Sequence, residues 1–133
     1  MNVIVKRSEW NGLDRCVDVH SNNHTLIDAL APSRLFDGSK MCCLGFACEQ
    51  LGVPREKIND FTMPQAVTYI FPEYEAMLAP FIEKGHSSHL PANNTLSLVA
   101  ARINDAFDLT QDEKESQLIT LFAEHGHTIT FED

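Results

Sequence analysis

Apolar positions along the chain recur with two periods, and capping or turn residues mark most of the boundaries between them. Val3-Ile4-Val5 is a β-branched run and Cys16-Val17-Asp18-Val19-His20 alternates apolar with polar, so both predict strands, joined across Asn11-Gly12. At the other end Thr128-Ile129-Thr130-Phe131-Glu132 alternates in the same way and is expected to pair with the N-terminal strands.

Between these ends the period becomes helical. Ser39 is placed to cap a helix over residues 40–51, closed by Gly52 and Pro54. At about 100° per residue, Met41, Leu44, Cys48 and Leu51 share one stripe while Cys42 and Phe46 fall nearly opposite, which predicts a central helix. Leu26–Leu30 suggests one or two helical turns. A short helix is expected over 65–70, and Pro72-Glu73 opens another that Pro80 should end; Gly85–Pro91 reads as an exposed loop. Asn94 or Thr95 caps a helix carrying Leu96, Val99, Ile103 and Phe107 at intervals of three or four. Thr110-Gln111-Asp112-Glu113 is a capping box, followed by Leu118, Ile119, Leu121 and Phe122, with Gly126 after the last turn.

These elements predict an α+β fold in which several helices pack on a small, mainly antiparallel sheet made by the N- and C-terminal strands. The 133 residues suit one globular domain over 1–133. A hydrophobic content of 44% with 22% charged residues argues for a packed core and against disorder. No apolar run approaches the ~20 residues of a membrane helix, and residues 1–7 lack a signal-peptide layout, so the expected location is the cytoplasm. Cys16, Cys42, Cys43 and Cys48 are then free thiols in a reducing compartment.

Charge changes the picture more than composition does. The formal net charge of −9 is carried wholly by the later part of the chain: residues 1–57 balance seven bases with seven acids, whereas residues 58–133 set twelve acids against Lys84, Arg102 and Lys114. Phosphate contacts need clustered Lys and Arg, so direct nucleic-acid binding is disfavoured and a basic protein surface is the easier partner. Candidate contacts are Asp105, Asp108, Asp112, Glu113 and Glu115. Asp105 also breaks a local rule, since it stands near a helix C-terminus where the dipole disfavours an anion; a role in the turn into the next helix explains it better.

The densest reactive cluster is Lys40-Met41-Cys42-Cys43-Leu44-Gly45-Phe46-Ala47-Cys48. A thiol in the first turn of a helix is acidified by the macrodipole, which makes Cys42 a candidate nucleophile, with His86 and His89 completing an alternative reactive pocket. No motif selects those histidines over His20, His24, His125 or His127, and buried cysteines acting as small hydrophobes are the preferred reading. Adjacent helical cysteines diverge by about 100°, and their spacing lacks the Cys-x2-4-Cys form of zinc sites, so neither metal nor cofactor is expected. Dinucleotide, phosphate-loop, zinc-protease and serine-hydrolase motifs are all missing. Trp10 and Phe46 are expected in the core.

Ser8-Glu9-Trp10, Lys40-Met41-Cys42-Cys43-Leu44-Gly45-Phe46, Ile103-Asn104-Asp105 and Leu121-Phe122-Ala123-Glu124-His125-Gly126, in this order before a terminal strand, resemble small proteins encoded by bacteriophages and prophages. The resemblance implies an accessory role in the host cell, with no catalytic residue to carry over. The expectation is therefore a non-catalytic binder of a host or phage macromolecule, for example an anti-defence inhibitor such as an anti-CRISPR protein. A small enzyme or small-ligand binder with the cysteine-histidine pocket is the alternative. The third is a homodimer or assembly protein that buries one side of the doubly apolar helix.

Overall fold

The structure, a computed structural model, describes residues 1–17, 32–82 and 95–133. Strands β1 (Asn2–Lys6) and β2 (Thr128–Glu132) form a two-stranded parallel sheet, with Val3 paired to Ile129 and Val5 to Phe131. Alternation buries Val3, Val5 and Ile129 and leaves Asn2, Lys6, Thr128, Thr130 and Glu132 exposed. The expected mainly antiparallel arrangement is thus corrected. Alternation determines which face is buried but not strand direction, and strands separated by almost the whole chain are free of any hairpin constraint. Gly126, with φ +80°, turns the chain out of the last helix, and Thr128 N–H meets the Met1 carbonyl at 2.9 Å, so both strands start from the same end. The free edge of β1 is closed by a side chain: Gln50 accepts from Ile4 N–H at 2.9 Å and donates to its carbonyl at 2.6 Å.

Of the expected second strand, Cys16 and Val17 are described and neither joins this sheet. Asn11–Arg15 is a 3-10 turn, not a hairpin, and Gly12 lies so close to the Trp10 indole that an added Cβ would come within 2.4 Å of it. Val17 N–H bonds the Leu109 carbonyl at 2.8 Å, which draws the chain toward the helices; Asp18–His20 lie outside the described residues.

Helix α1 (Cys43–Gln50) starts later than the Ser39 cap implies. The carboxylate of Asp37 takes the N–H groups of Ser39 and Lys40 at 2.9 and 2.8 Å, so Ser39 sits in a turn and Cys42 becomes the N-cap residue. Met41 bridges to Trp10, and Cys43 through Cys48 are all buried. Gly45 permits this: a Cβ there would stand 1.9 Å from the Leu35 carbonyl oxygen.

Helix α2 (Arg55–Ile58) and helix α3 (Pro64–Ile70) follow. The helix expected from Pro72 is reduced to 3-10 turns at Pro72–Tyr74 and Ala79–Phe81. Helix α4 (Leu96–Asp105) is capped by Thr95, whose hydroxyl accepts from Leu98 N–H at 3.0 Å; Phe107 lies past its end and is exposed. Helix α5 (Gln111–Glu124) carries the expected capping box. Five α-helices are thus present among the described residues, and none is long and apolar enough to cross a membrane. The turns expected at Leu26–Leu30 and the loop at Gly85–Pro91 fall outside those residues. Helices α1, α4 and α5 pack together and against the sheet around Trp10, Leu35, Met41, Leu44, Leu118 and Phe122.

Candidate functional site

Three of the buried polar residues, Asn11, Asn104 and Lys114, meet where α4 ends beside the 3-10 turn of residues 11–15. The carboxamide of Asn104, fully buried, accepts from Trp10 Nε1 at 2.7 Å and from Cys43 N–H at 3.0 Å. Its Nδ2 donates to Asn11 Oδ1 and to Asp105 Oδ1, each at 3.1 Å. Every hydrogen-bonding position of that amide is used in the plane where it can be used, so Asn104 ties β1's continuation, α1 and α4 together.

Lys114 lies beside it with no exposure, its Nζ donating to the carbonyls of Gly12 at 2.9 Å and Asn104 at 2.8 Å. Desolvation pushes its pKa below the usual lysine range. Sequence reasoning missed both residues. A signal for Lys114 exists: it stands four and seven residues before Leu118 and Leu121, on the buried stripe of α5.

The candidate nucleophile is closed off. Cys42, Cys43 and Cys48 are buried among apolar side chains, and Cys16 donates weakly to the Gly12 carbonyl with its sulfur 3.5 Å away. Desolvation raises Cys42 to about 12, outweighing the backbone N–H groups that favour its thiolate, and moves Cys43 and Cys48 the same way. The proposed partners His86 and His89 lie outside the described residues. His127 stacks on Phe81, with ring centroids 5.6 Å apart, far in role from any thiol. Among the described residues no group of three His, Cys, Asp or Glu side chains could hold a metal ion. Trp10 and Phe46 are core residues, as expected.

The five acidic candidates separate into two sets. Asp105 is half-buried, and its second oxygen accepts from Ser33 N–H at 2.9 Å with Arg15 Nη1 4.0 Å away, which offsets the dipole penalty that made it suspect. Glu115 is buried and holds Arg7 through two hydrogen bonds of 3.0 and 2.8 Å, with Gln111 adding a third at 2.9 Å. Burial opposes its charge, but Arg7 and Gln111 outweigh burial and hold the carboxyl below the usual range. Both are internal ties. Asp108, Asp112 and Glu113 are exposed, and Glu113 is engaged in the capping box, its carboxylate accepting from Thr110 N–H at 3.1 Å.

The bases of the first half are largely neutralised locally. Lys40 pairs with Asp14, Arg34 with Asp60, Arg55 with Glu49 and Glu9, and Arg7 with Glu115 and Asp133. Helix α1 also spends both apolar sides within the chain, so the surface that motivated the homodimer expectation is already covered. The arrangement can present fixed charge and shape, while its thiols and its lysine are shielded. Comparisons with protein-family models, curated proteins and solved structures find no match.

Proposed function

We propose that this chain is a non-catalytic binding protein that uses its acidic surface against a basic protein, in the reducing cytoplasm of a host cell. One observation carries the reading. Glu9, Asp14 and Glu49 in the first part of the chain pair with nearby bases, whereas Asp108 and Asp112, just before and within the first turn of α5, face solvent with no ion pair among the described residues. Unmatched surface charge steers association and selects a partner of opposite sign. The burial of Cys42 speaks against the enzyme alternative, because a thiol pushed up to about 12 is a poor nucleophile near neutral pH. The phage-accessory role, including host-defence inhibition, rests on the resemblance of the sequence fragments alone.

The test is retention of host proteins on the immobilised chain, compared with the variant Asp108→Lys/Asp112→Lys. Glu113 is left intact because its loss would open the capping box. The expected outcome is a retained protein with a basic surface whose binding weakens with salt and is lost in the variant. Equal retention by both forms overturns the acidic-face reading.

A further inference from the structure

A second surface lies on the other side of the sequence from α5. Residues 64–82 are anchored by Val67, Leu78 and Phe81, which are 0%, 0% and 3% exposed. Yet the same segment leaves Tyr69 85% exposed, Ile70 56% and Met77 44%. Exposed large side chains on a slack loop would mean little, but this segment is braced. Pro64 opens α3, Thr68 Oγ1 bonds the Gln65 carbonyl at 2.8 Å, and Leu78 N–H bonds the Tyr74 carbonyl at 3.0 Å. Below them Phe61, Phe71 and Tyr74 pack edge to face at 6.4 and 6.3 Å, with Lys57 Nζ 4.8 Å from the Phe71 ring centroid. A surface held in shape loses little freedom when a partner covers it, and Tyr and Met are residues that interfaces favour.

Its charge identifies the occupant. Residues 58–82 contain Asp60, Glu73 and Glu75 and no Lys, Arg or His. Arg34 matches Asp60, while Glu73 and Glu75 are exposed and make no ion pair among the described residues. Nucleic acid would meet two carboxylates and a single base, Lys57, whose ammonium lies over the Phe71 ring. A second copy is less suited, since Arg7, Arg34, Lys40 and Arg55 are engaged in ion pairs and Lys114 is buried, which leaves, among the described lysines, Lys6 and the half-buried Lys57 to answer these carboxylates. We propose that the surface of Tyr69, Ile70 and Met77 docks a segment of a partner protein that presents large apolar side chains flanked by Lys or Arg. This rests on the binding-protein reading above but assigns a different face, one that recognises shape as well as charge.

The probe is a short, fluorescently labelled synthetic amphipathic helix of Leu and Lys, titrated with the full chain and read by anisotropy. Two control peptides replace every Lys by Glu or every Leu by Ser. The Leu/Lys peptide is expected to bind saturably and each control roughly tenfold more weakly or worse. Tyr69→Ala and Glu73→Lys/Glu75→Lys should each weaken it roughly tenfold, whereas Asp108→Lys/Asp112→Lys should leave it unchanged. Tyr69, Glu73 and Glu75 are exposed, so melting curves should match the parent. Loss confined to Asp108→Lys/Asp112→Lys would overturn the docking surface and leave the α5 face standing. Equal binding of the Ser/Lys peptide, or no binding of any peptide, also overturns it.

Discussion

The ammonium of Lys114 on α5 lies 2.8 Å from the carbonyl oxygen of Asn104 at the end of α4, and 2.9 Å from that of Gly12. The last carbonyls of a helix lack intrahelical donors and carry partial negative charge, so a cation placed there satisfies one of them while also favouring the dipole. Lys114 therefore acts as a cross-tie between α5, the end of α4 and the 3-10 turn. Lys114→Met preserves most of the volume but leaves two buried acceptors without this donor. It should lower unfolding stability by about 1–3 kcal/mol in urea titration, and Lys114→Ala by more, because a cavity is added. A Met variant as stable as the parent would show that relief from burying the charge cancels the lost bonds.

The same junction has a built-in reporter, because Trp10, the chain's single tryptophan, donates to Asn104 at 2.7 Å. Asn104→Ala strands the indole N–H, the Cys43 N–H and the Asn11 carboxamide oxygen together, and a loss of about 2–4 kcal/mol is expected. Asn104→Asp should also destabilise, since it sets an acceptor against Asn11 Oδ1 and Asp105 Oδ1. In both variants Trp10 emission should move to longer wavelength before global unfolding. An unchanged spectrum with unchanged stability would contradict the central place of Asn104.

How much of this could be read along the chain depends on range. The capping box at Thr110 and Glu113, the Thr95 cap and the alternation of Thr128–Glu132 are local devices, and local pattern reveals them. Burial of Cys43 and Cys48 follows from their place on a helix apolar on both sides. The direction of β2 is invisible because alternation looks the same read either way. Glu115 reads as one more surface acid among Asp112 and Glu113, yet it pairs with Arg7, 108 residues earlier, and nothing local marks such a pairing. Ser39 misleads for a different reason: Asp37, two residues before it, captures the N–H groups of Ser39 and Lys40 and shifts the helix start to Cys43.

Gly45 offers a test of the packing around α1. Helix propensity alone favours Gly45→Ala by about 1 kcal/mol. The Leu35 carbonyl, 1.9 Å from where the Cβ would stand, is backbone and cannot swing aside. Forced separation of α1 from the Leu35 segment should cost more than propensity returns, for a net loss of about 1–3 kcal/mol and a lower Tm. A stabilised Gly45→Ala protein would mean that this approach relaxes easily.

Buried thiols should also shape the alkaline limb of stability. Unfolded, Cys42 ionises near 9.0, while burial in the folded chain raises it to about 12 and moves Cys43 and Cys48 in the same direction. Between those values the unfolded chain has released protons that the folded chain retains, so stability must fall as pH rises through that window. Each thiol contributes roughly 1 kcal/mol per pH unit of decline. Lys114, whose folded pKa is lowered, acts with the opposite sign and softens the slope without reversing it, being one group against three. Urea midpoints measured at about pH 8 and about pH 10 should therefore drop, and Cys48→Ala should show a smaller drop than the parent. Titration with a disulfide reagent at about pH 8 checks the same burial directly: the four thiols of the native chain should react slowly and rapidly only after urea is added. A flat alkaline limb together with fast native labelling would place those sulfurs at an open surface and reopen the enzyme reading.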